Sequence, residues 1–243
     1  MRRKVSRSKI EKANVLQDVP FISPHIPKTL WYTAQNFWKL VNEFSVVYLK
    51  PDIGSLGIGI VRAKKQAENS YELTFGDSSL TVTGAEVIST LKTIMPAKRR
   101  YILQQGIDLA TYKDCPFDIR MVMQKTNTLW LLTLTSAKVA PREDAIVTNV
   151  ARGAKDYPLQ DILQEYDQKQ DPLVAMRELV DLAHRIAGVL GSKFPLNILG
   201  LDIALDKQGR IWFLEANIRP QCRQCSLVND EISRQKYAEA RER

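Results

Sequence analysis

The spacing of apolar and polar residues predicts a chain in which helices and short strands are mixed. Apolar residues recur at helical intervals over residues 29–44, which predicts an amphipathic helix there. A second helix is predicted from residue 171 to about residue 190, because Asp171 can cap its first turn and Pro172 suits its first position. Further helices are predicted over residues 83–91 and, as a charged surface helix, over residues 227–243. Short strands are predicted over residues 45–50, 60–63, 71–75, 80–82, 100–105, 117–124, 128–136, 199–205 and 210–216. Strands before and after helices, with antiparallel hairpins, predict the α+β class.

The last two predicted strands form a hairpin that carries several acidic or amide side chains. The tetrapeptide at residues 206–209, Asp-Lys-Gln-Gly, has turn chemistry. A two-residue loop at Lys207-Gln208 would bring alternate side chains of both strands to one face. The residues predicted on that face are Asp202, Asp206, Ile211, Phe213, Glu215 and Asn217. A bulge at Gly209 would break this alternation.

Three of these residues, Asp202, Glu215 and Asn217, form the outline of a magnesium site. Mg²⁺ is bound by one or two carboxylates and keeps coordination positions for substrate phosphates. Acids beside apolar residues are costly to bury unless a cation lies among them. The alternative is an ordinary amphipathic hairpin with a solvated acidic face, and the three residues alone do not decide between the two.

Residues 46–61 contain a glycine-rich loop that follows an apolar strand. The glycines would let backbone amides approach an anion, and Lys50 at the end of the strand would add a positive charge. Their order is not that of a P-loop or a Rossmann turn, and the chain continues into an apolar strand rather than a helix. The loop therefore predicts a flap over phosphates, with a flexible hairpin connection and an incidental lysine as the alternative. The flap residues are Gly54, Ser55, Gly57 and Gly59.

Composition and charge bear on the class of protein and its partners. A chain of 243 residues with 44% hydrophobic and 26% charged residues is globular and can form one large domain or two small ones. No apolar run is long enough for a membrane span, and no apolar segment follows the basic N-terminus, so a cytoplasmic location is predicted. Six basic residues and one acid in the first twelve carry +5 of the net charge of +8. This distribution favours a solvated arm over a nucleic-acid-binding one.

The cysteines and histidines do not form a recognisable catalytic or zinc motif. Three cysteines are too few for a disulfide framework and suit a reducing compartment. Cys222 and Cys225 have the spacing of redox and zinc sites, but no second pair of this kind is present, so zinc is not expected. His25 and His184 do not predict a catalytic triad.

Four motifs, in their order along the chain, resemble those of the ATP-grasp ligases. They are the Lys50-Pro51 strand with its flap, residues 101–106 (Tyr-Ile-Leu-Gln-Gln-Gly), residues 118–120 (Asp-Ile-Arg) and the trio on the late hairpin. The likeness covers about residues 45–221. Within the superfamily, the chain is most similar to the YheC/YheD branch, which is associated with the endospore coat. The segments that carry this closer likeness are residues 8–9, 26–29, 48–51, 102–110, 117–120, 147–149 and 211–215.

The resemblance implies an ATP-grasp fold, in which two α+β subdomains clasp ATP, with the usual N-terminal α/β domain abbreviated or absent. The implied parts are a basic arm and helix over residues 1–44, a small lid subdomain with the flap over residues 45–105, and a larger subdomain over residues 106–243. The larger part would hold the metal-site hairpin and a C-terminal helix. Fewer than fifty residues precede the Lys50 strand, so a partner or a second subunit that completes the cleft is one expectation.

The resemblance also implies roles for individual residues. The strand lysine and the flap would contact ATP phosphates, the backbone of residues 104–107 would pair with adenine, and Asp118 would contact the ribose. Arg120 and Arg219 are candidate catalytic residues, Arg219 as a ligand of an acyl phosphate or a substrate carboxylate. The implied ATP contacts are Lys50, Gly54, Ser55, Gly57, Gly59, Gln104, Gln105, Ile107, Asp118, Asn149 and Arg152. The implied ligands of Mg²⁺, or of Mn²⁺ as the alternative ion, are Asp202, Glu215 and Asn217.

Several of these residues have an alternative interpretation without a role in binding or catalysis. Gln104 and Gln105 could be ordinary strand residues, Asp118 and Arg120 a solvent-facing pair, and Arg219 a surface charge. The implied activity is that of an ATP- and Mg²⁺-dependent ligase that joins a small carboxylate or peptide to an amine or thiol. The alternative is an ATP-binding protein without turnover, associated with the spore coat.

Overall fold

The computed structural model describes residues 5–167 and 170–241. Arg2, Arg3 and Lys4 of the predicted basic arm lie outside the described residues, as do the last two residues of the predicted C-terminal helix. The helices are α1 (Lys9–Gln17), α2 (Ala34–Phe44), α3 (Gly84–Ile94), α4 (Leu159–Glu165), α5 (Pro172–Lys193), α6 (Arg223–Leu227) and α7 (Glu231–Arg241). The strands are β1 (Thr29–Trp31), β2 (Val46–Pro51), β3 (Val61–Ala67), β4 (Ser70–Phe75), β5 (Ser78–Thr83), β6 (Tyr101–Gln105), β7 (Thr111–Tyr112), β8 (Cys115–Thr126), β9 (Leu129–Val139), β10 (Lys155–Tyr157), β11 (Ile198–Leu205) and β12 (Ile211–Asn217).

The starts of two helices show how capping residues set their bounds. α5 begins as predicted, because the Asp171 side chain accepts hydrogen bonds from the backbone N–H groups of Leu173 and Val174. The helix predicted over residues 29–44 begins later, because residues 29–31 pair with β6 and Thr33 then caps the first turn of α2. None of the helices in the described part of the chain has the length and apolarity needed to cross a membrane.

Contacts divide the chain into two compact units, each built on an antiparallel sheet. The small unit comprises Ser8–Ile10 and Pro27–Ile107, and its strands lie in the order β1-β6-β2-β3-β4-β5. The large unit comprises Glu11–Ile26 and the chain from Asp108, and its strands lie in the order β10-β9-β8-β11-β12, with β7 beside β8. Antiparallel sheets with packed helices are the α+β class that the sequence predicts. The segment 1–44 is not a compact unit of its own, since its described residues contribute to both.

The apolar core of each unit lies on one face of its sheet. In the small unit, α2 and α3 pack on the sheet through residues such as Phe37, Leu91 and Leu103. In the large unit, α1, α4 and α5 supply a larger core that includes Phe117 and Ile203. The opposite face of the large sheet is partly covered by a small apolar cluster from α6 and α7. The remainder of that face carries charged and polar side chains.

The β11–β12 hairpin contains two irregularities rather than the predicted two-residue loop. The amide of Asp206 donates to the carbonyl of Arg210, and Gly209 has a φ of 78°, so the loop has three residues and the two-residue prediction is wrong. A second shift of register follows where Ile203 pairs with Phe213 but Asp202 pairs with Glu215. Each irregularity reverses the alternation of β12 relative to β11, so the second restores what the first disturbs.

This double irregularity decides which side chains share a face. Asp202, Glu215 and Asn217 lie on one face, as predicted. Ile211 and Phe213 lie on the opposite face, in the core of the large unit, so their predicted placement beside the acids is wrong. The register shift between the pairs Ile203–Phe213 and Asp202–Glu215 separates the two sets of residues, because it reverses the direction of side chains along β12.

Candidate functional site

Lys50 and Gln104 lie on the same face of the sheet in the small unit. β2 and β6 are neighbours, and Lys50 pairs with Ile102 while Tyr48 pairs with Gln104. The Lys50 ammonium donates to Gln104 Oε1 at 2.6 Å and lies 5.5 Å from the centre of the Tyr48 ring. Burial raises the pKa of the Tyr48 phenol, so the ring stays neutral beneath the ammonium. The structure thus joins a cation and an amide from two separate motifs.

Several backbone groups at the end of β6 and directly after it form hydrogen bonds within the sheet. Gln104 and Gln105 pair with β1 and β2 on either side, and the amide of Gln105 donates to the carbonyl of Lys28. The amide of Gly106 donates to the carbonyl of Val46 at 2.9 Å. The amides of Gln105 and Gly106 are therefore used within the sheet. The adenine contact predicted for the backbone of residues 104–107 stays a prediction, with ordinary strand residues as the alternative.

The glycine flap connects β2 to β3 and is anchored at its start by residues near the N-terminus. Asp52 is buried, and its Oδ1 accepts hydrogen bonds from Ser8 Oγ at 2.9 Å and from the amide of Ile10 at 3.1 Å. The Lys9 ammonium donates to the carbonyl of Gly54 at 2.9 Å. Asp52 thereby caps the first turn of α1. Ser8 and Lys9 were visible in the sequence only through the family resemblance.

Three residues of the flap adopt the left-handed backbone conformation. The φ angles are 61° at Leu56, 68° at Gly57 and 79° at Gly59. A β-carbon at Gly59 would lie 3.0 Å from the Tyr101 hydroxyl, and this close contact adds to the conformational preference for glycine there. Ser55 is exposed beside them. The side chains of Ile53, Leu56 and Ile58 are exposed as well, so the flap presents apolar side chains beside its glycines.

We expect Asp52→Ala to lower the free energy of unfolding by about 1–2 kcal/mol, the usual cost of removing a helix cap. The variant would leave Ser8 and the first turn of α1 without the carboxylate acceptor. Equilibrium unfolding in urea measures the change. Asp77→Ala, at an exposed acid of the same unit, is the control and should change stability by less than about 0.5 kcal/mol. Similar values for the two variants would contradict the anchoring role.

A buried ionic network crosses three strands of the large sheet, β8, β9 and β11. The Lys138 ammonium lies 2.8 Å from Asp118 Oδ1 and 3.0 Å from Asp202 Oδ1. Arg120 donates to the same Asp202 through Nε at 2.7 Å and Nη2 at 3.2 Å. Thr148 Oγ1 donates to Asp118 Oδ2 at 2.6 Å. The four charged residues come together because β8 lies between β9 and β11, in a register that pairs Asp118 with Lys138 and Arg120 with Asp202. Thr148 reaches them from the connection between β9 and β10.

Burial and neighbouring charges shift the pKa values of the network in different directions. Burial disfavours the ionised form of Asp202, but Arg120 and Lys138 outweigh it and lower the pKa of this carboxyl. Burial likewise opposes the charge on Lys138, yet Asp118 and Asp202 outweigh it and raise the pKa of the ammonium. At Asp118, burial is the larger influence, and the pKa is raised. Asp202 is therefore the more firmly ionised of the two acids.

Asp118 and Arg120 are not the solvent-facing pair that was one alternative for them. Asp118 is 5% exposed, its ionic partner is Lys138, and the partner of Arg120 is Asp202. A ribose contact by Asp118 stays a prediction: its Oδ2 accepts hydrogen bonds from Thr148 and Lys138, while its buried Oδ1 has no hydrogen-bond partner among the described residues. Lys138 and Thr148 were missed in the sequence, since nothing local marks a strand lysine or a loop threonine as a partner of a distant acid.

Glu215 and Asn217 complete the predicted metal trio on this face. Glu215 pairs directly with Asp202, and the Asn217 amide donates to Asp202 Oδ2 at 3.1 Å. No three His, Cys, Asp or Glu side chains converge anywhere in residues 5–167 and 170–241, so the trio has two carboxylates and one amide oxygen. This donor set fits Mg²⁺, which completes its coordination with water and phosphate oxygens.

Asp202 would have to exchange a partner to bind an ion. Its two oxygens accept hydrogen bonds from two nitrogens of Arg120, from Lys138 and from Asn217. A carboxylate has about four acceptor positions, so an ion on Asp202 would replace one of these donors. The trio is thus a site of suitable chemistry in which one carboxylate is already neutralised by the protein.

Asn149 and Arg152 lie in an extended connection from β9 to β10, which we call the 141–153 loop. The Asn149 side chain accepts a hydrogen bond from the amide of Ala151 at 2.8 Å and begins a 3₁₀ turn that ends at Gly153, with a φ of 92°. Arg152 is exposed. Arg219 is exposed as well, directly after β12, so its alternative as a surface charge stays open. Their predicted contacts to phosphate or substrate stay predictions.

The two cysteines with redox spacing are buried together in the small apolar cluster against β8 and β9. Cys222 and Cys225 are both free thiols and share this cluster with Tyr237. Burial and the neighbouring Cys222 thiol raise the pKa of Cys225, with the hydrogen bond to Cys222 as the larger cause. The residues the structure describes place no third ligand of zinc beside them.

Comparison with known sequences finds proteins of one kind along nearly the whole chain. A family model described as YheC/D like ATP-grasp matches residues 3–241. The chain is 24% identical to the endospore coat-associated protein YheC of Bacillus subtilis (strain 168), covering 96% of the chain and 66% of that protein. It is 25% identical to the endospore coat-associated protein YheD of the same organism, covering 85% of the chain and 46% of that protein.

Comparison with solved structures finds the same fold. An ATP-grasp ligase, PsnB, complexed with a minimal precursor superposes with a TM-score of 0.55 at 14% identity, over 97% of the chain and 60% of PsnB. The ADP complex of PurK, an N5-carboxyaminoimidazole ribonucleotide synthetase, gives a TM-score of 0.57 at 11% identity, over 89% of the chain and 45% of PurK. At these identities the likeness shows the fold alone. The chain spans about half to two thirds of the length of the proteins it matches.

Proposed function

Because the chain belongs to the YheC/D-like ATP-grasp family, we propose that it is a ligase that uses ATP and Mg²⁺ to activate a carboxylate for attack by an amine or a thiol. The observation that carries the proposal is the joint placement of Asp202, Glu215 and Asn217 on one polar face of the large sheet. This is the donor set that a magnesium nucleotide requires, and it is held in place by buried cations. Lys50 and its flap supply the second set of contacts, for phosphates.

In the small unit, the proposed contacts with ATP come from β2, the flap and the end of β6. Lys50 would exchange its hydrogen bond with Gln104 for a phosphate oxygen, which is the stronger acceptor for an ammonium. The flap amides would approach the same phosphates without side-chain obstruction at the glycines. Adenine would pair with the backbone of residues 104–107.

In the large unit, Glu215, the Asn217 amide oxygen and one oxygen of Asp202 would hold the ion. Mg²⁺ supplies neutralisation of the charge on the transferred phosphoryl group when it is bound. Arg152 and Asn149 would contact phosphates from the 141–153 loop. Arg120 and Arg219 are the guanidinium groups proposed for the acyl phosphate or the substrate carboxylate.

The proposed chemistry needs no nucleophile from the protein. An oxygen of the substrate carboxylate attacks the γ-phosphorus of ATP, the bond to the bridging β–γ oxygen breaks, and ADP leaves. The amine or thiol then attacks the acyl carbon, inorganic phosphate departs with the broken C–O bond, and the nucleophile loses a proton to solvent. Catalysis in such a reaction comes from positioning and from charge stabilisation. The absence of a nucleophile–base pair among the sequence motifs agrees with this mechanism.

The substrate class that we propose is a peptide or amino-acid carboxylate. PsnB, which shares the fold, was solved in complex with a precursor peptide, so peptides belong in the first substrate pools tested. A screen for ADP release with pooled amino acids, dipeptides and longer peptides would identify an active pair. Release of ADP that depends on one pool and on Mg²⁺ is the expected result.

The test of the nucleotide site is a binding measurement with and without Mg²⁺. We expect the wild-type protein to bind ATP with Mg²⁺, and Glu215→Ala to weaken binding about 10- to 100-fold, because a charged ligand of the ion is lost. Titration calorimetry measures both. Glu231→Ala, at an exposed glutamate of α7, is the control and should bind as the wild type does. Absence of Mg²⁺-dependent binding in the wild type, or equal affinity in Glu215→Ala, would refute the proposal.

A second function is an ATP-binding protein without turnover that takes part in the spore coat. The observation that favours it is that both curated relatives are described as endospore coat-associated proteins. ATP binding with no ADP release across all substrate pools would support this function over the ligase. Release of ADP in any pool would exclude it.

A further inference from the structure

One buried side-chain hydrogen bond joins the 141–153 loop to the sheet of the large unit in the described part of the chain. Thr148 is the one buried residue in the loop, and its hydroxyl donates to Asp118 Oδ2 at 2.6 Å. The other hydrogen bonds and the ion pair found for the loop in the described part of the chain close turns within it or reach only the next residue, Ala154. In the described part of the chain, this hydroxyl is therefore the one hydrogen-bonding link from the thirteen loop residues to parts of the large unit beyond Ala154. The loop is also the one that carries Asn149 and Arg152.

The acceptor of this hydroxyl is itself held by a buried cation. The Lys138 ammonium contacts both oxygens of Asp118, at 2.8 and 3.1 Å, and also Asp202 Oδ1 at 3.0 Å. Two of these contacts are hydrogen bonds, to Asp118 Oδ2 and to Asp202 Oδ1, and the contact with Asp118 Oδ1 is an ion pair. The chain of contacts runs from Thr148 through Asp118 and Lys138 to Asp202 without a gap. It links the loop to the acid at the centre of the proposed ion site.

We propose that Thr148 and Lys138 are positioning residues, which hold the 141–153 loop in register with Asp202 through the carboxylate of Asp118. Neither residue need touch the nucleotide. The inference rests on the proposed function in that Asn149, Arg152 and Asp202 are taken as contacts of Mg²⁺-ATP. Asp118 acquires a role besides the predicted ribose contact, since its Oδ2 accepts hydrogen bonds from both Thr148 and Lys138.

The first test is Thr148→Val, which removes the hydroxyl and keeps the shape of the side chain. In the free protein we expect backbone amides of residues 145–153 to exchange with deuterium at least about ten times faster, since their one anchor is lost. The affinity for ATP with Mg²⁺ should fall about ten-fold, the effect of one hydrogen bond to a charged group. Exchange read by mass spectrometry and titration calorimetry measure the two effects.

Two variants separate anchoring from a general loss of structure. Thr148→Ser keeps the hydroxyl and should restore both the slow exchange and the affinity. Thr133→Val removes another buried threonine hydroxyl of the large unit, one that donates to the carbonyl of Val122, and should alter neither measurement. Unchanged exchange in Thr148→Val, or equal losses in Thr148→Ser and Thr148→Val, would overturn the inference.

The role of Lys138 is tested by Lys138→Met alone and combined with Thr148→Val. The single variant should speed exchange of the 141–153 loop as Thr148→Val does, and the double variant should add little to that exchange, because both act through Asp118. Additive effects on exchange would contradict the role of Lys138. If Lys138→Met does not fold, the variants of Thr148 still test whether its hydroxyl anchors the loop. Exchange in the free protein needs no nucleotide, so the anchoring result stands apart from any failure of the wild type to bind ATP.

Discussion

Replacing Arg120 by alanine is expected to lower the free energy of unfolding by about 3 kcal/mol, the lower end of the range for breaking a buried ion pair. Arg120 contacts Asp202 with two nitrogens, and the two side chains are 12% and 13% exposed. Without the guanidinium, Asp202 would keep Lys138 and Asn217 as partners but would lose two of its four donors. The remaining Lys138 is the reason that the upper end of the range is not expected.

Equilibrium unfolding in guanidinium chloride measures this loss, and a fall in Tm of roughly 6–12 °C corresponds to it for a chain of this size. Arg234→Ala is the matched control, because it removes the same side chain from an exposed pair with Glu231 on α7. Exposed pairs contribute at most about 1 kcal/mol. Comparable losses in the two variants would mean that the buried network contributes no more than a surface contact.

Lys50→Met is expected to reduce the rate of Mg²⁺-dependent ADP release by about 10²–10³-fold in kcat/KM, the usual loss when one charge-stabilising donor is removed. The side chain keeps its length and its contact with the Tyr48 ring but no longer carries a charge. In the free protein the change removes the positive charge and the hydrogen bond to Gln104, and we expect the variant to fold. The loss would therefore reflect phosphate binding rather than structure.

The control for Lys50 is Lys92→Met, at an exposed position of α3 in the same unit, which should release ADP at the wild-type rate. Should the protein prove to bind ATP without turnover, the same pair is compared by affinity, with a loss expected for Lys50→Met alone. An affinity and a rate that are both unaffected in Lys50→Met would remove this residue from the proposed site.

The elements that the sequence predicts best are those marked by local signals. Asp171 and Pro172 place the start of α5, and apolar runs place both strands of the late hairpin. The strand β1 was missed because it is three residues long and its partner, β6, lies about seventy residues away. Nothing in a short apolar segment tells a strand edge from the first turn of a helix.

In the site, too, the sequence predicts the residues that a local pattern marks and misses those whose partners are distant in sequence. Asp202, Glu215 and Asn217 share a face as the alternation predicts, although by way of two irregularities that the alternation did not contain. Lys138 and Thr148 could not be found, since their significance comes from the register of β8 between its neighbours and from a loop that folds back. Charged partners of this kind are a property of the assembled sheet rather than of any one segment.

The number of residues in the β11–β12 hairpin decides on which face of the sheet each side chain of β12 lies, because both irregularities are needed for the present arrangement. Deleting Gly209, or inserting one residue near it, would turn Glu215 and Asn217 toward the apolar core and Ala216 toward Asp202, unless the irregularity before Glu215 were lost as well. A change of two residues would leave every side chain on its present face. When relatives are compared, two gaps of one residue between positions 206 and 214 would keep the acidic face, whereas a single unpaired gap would mark a hairpin that has lost it.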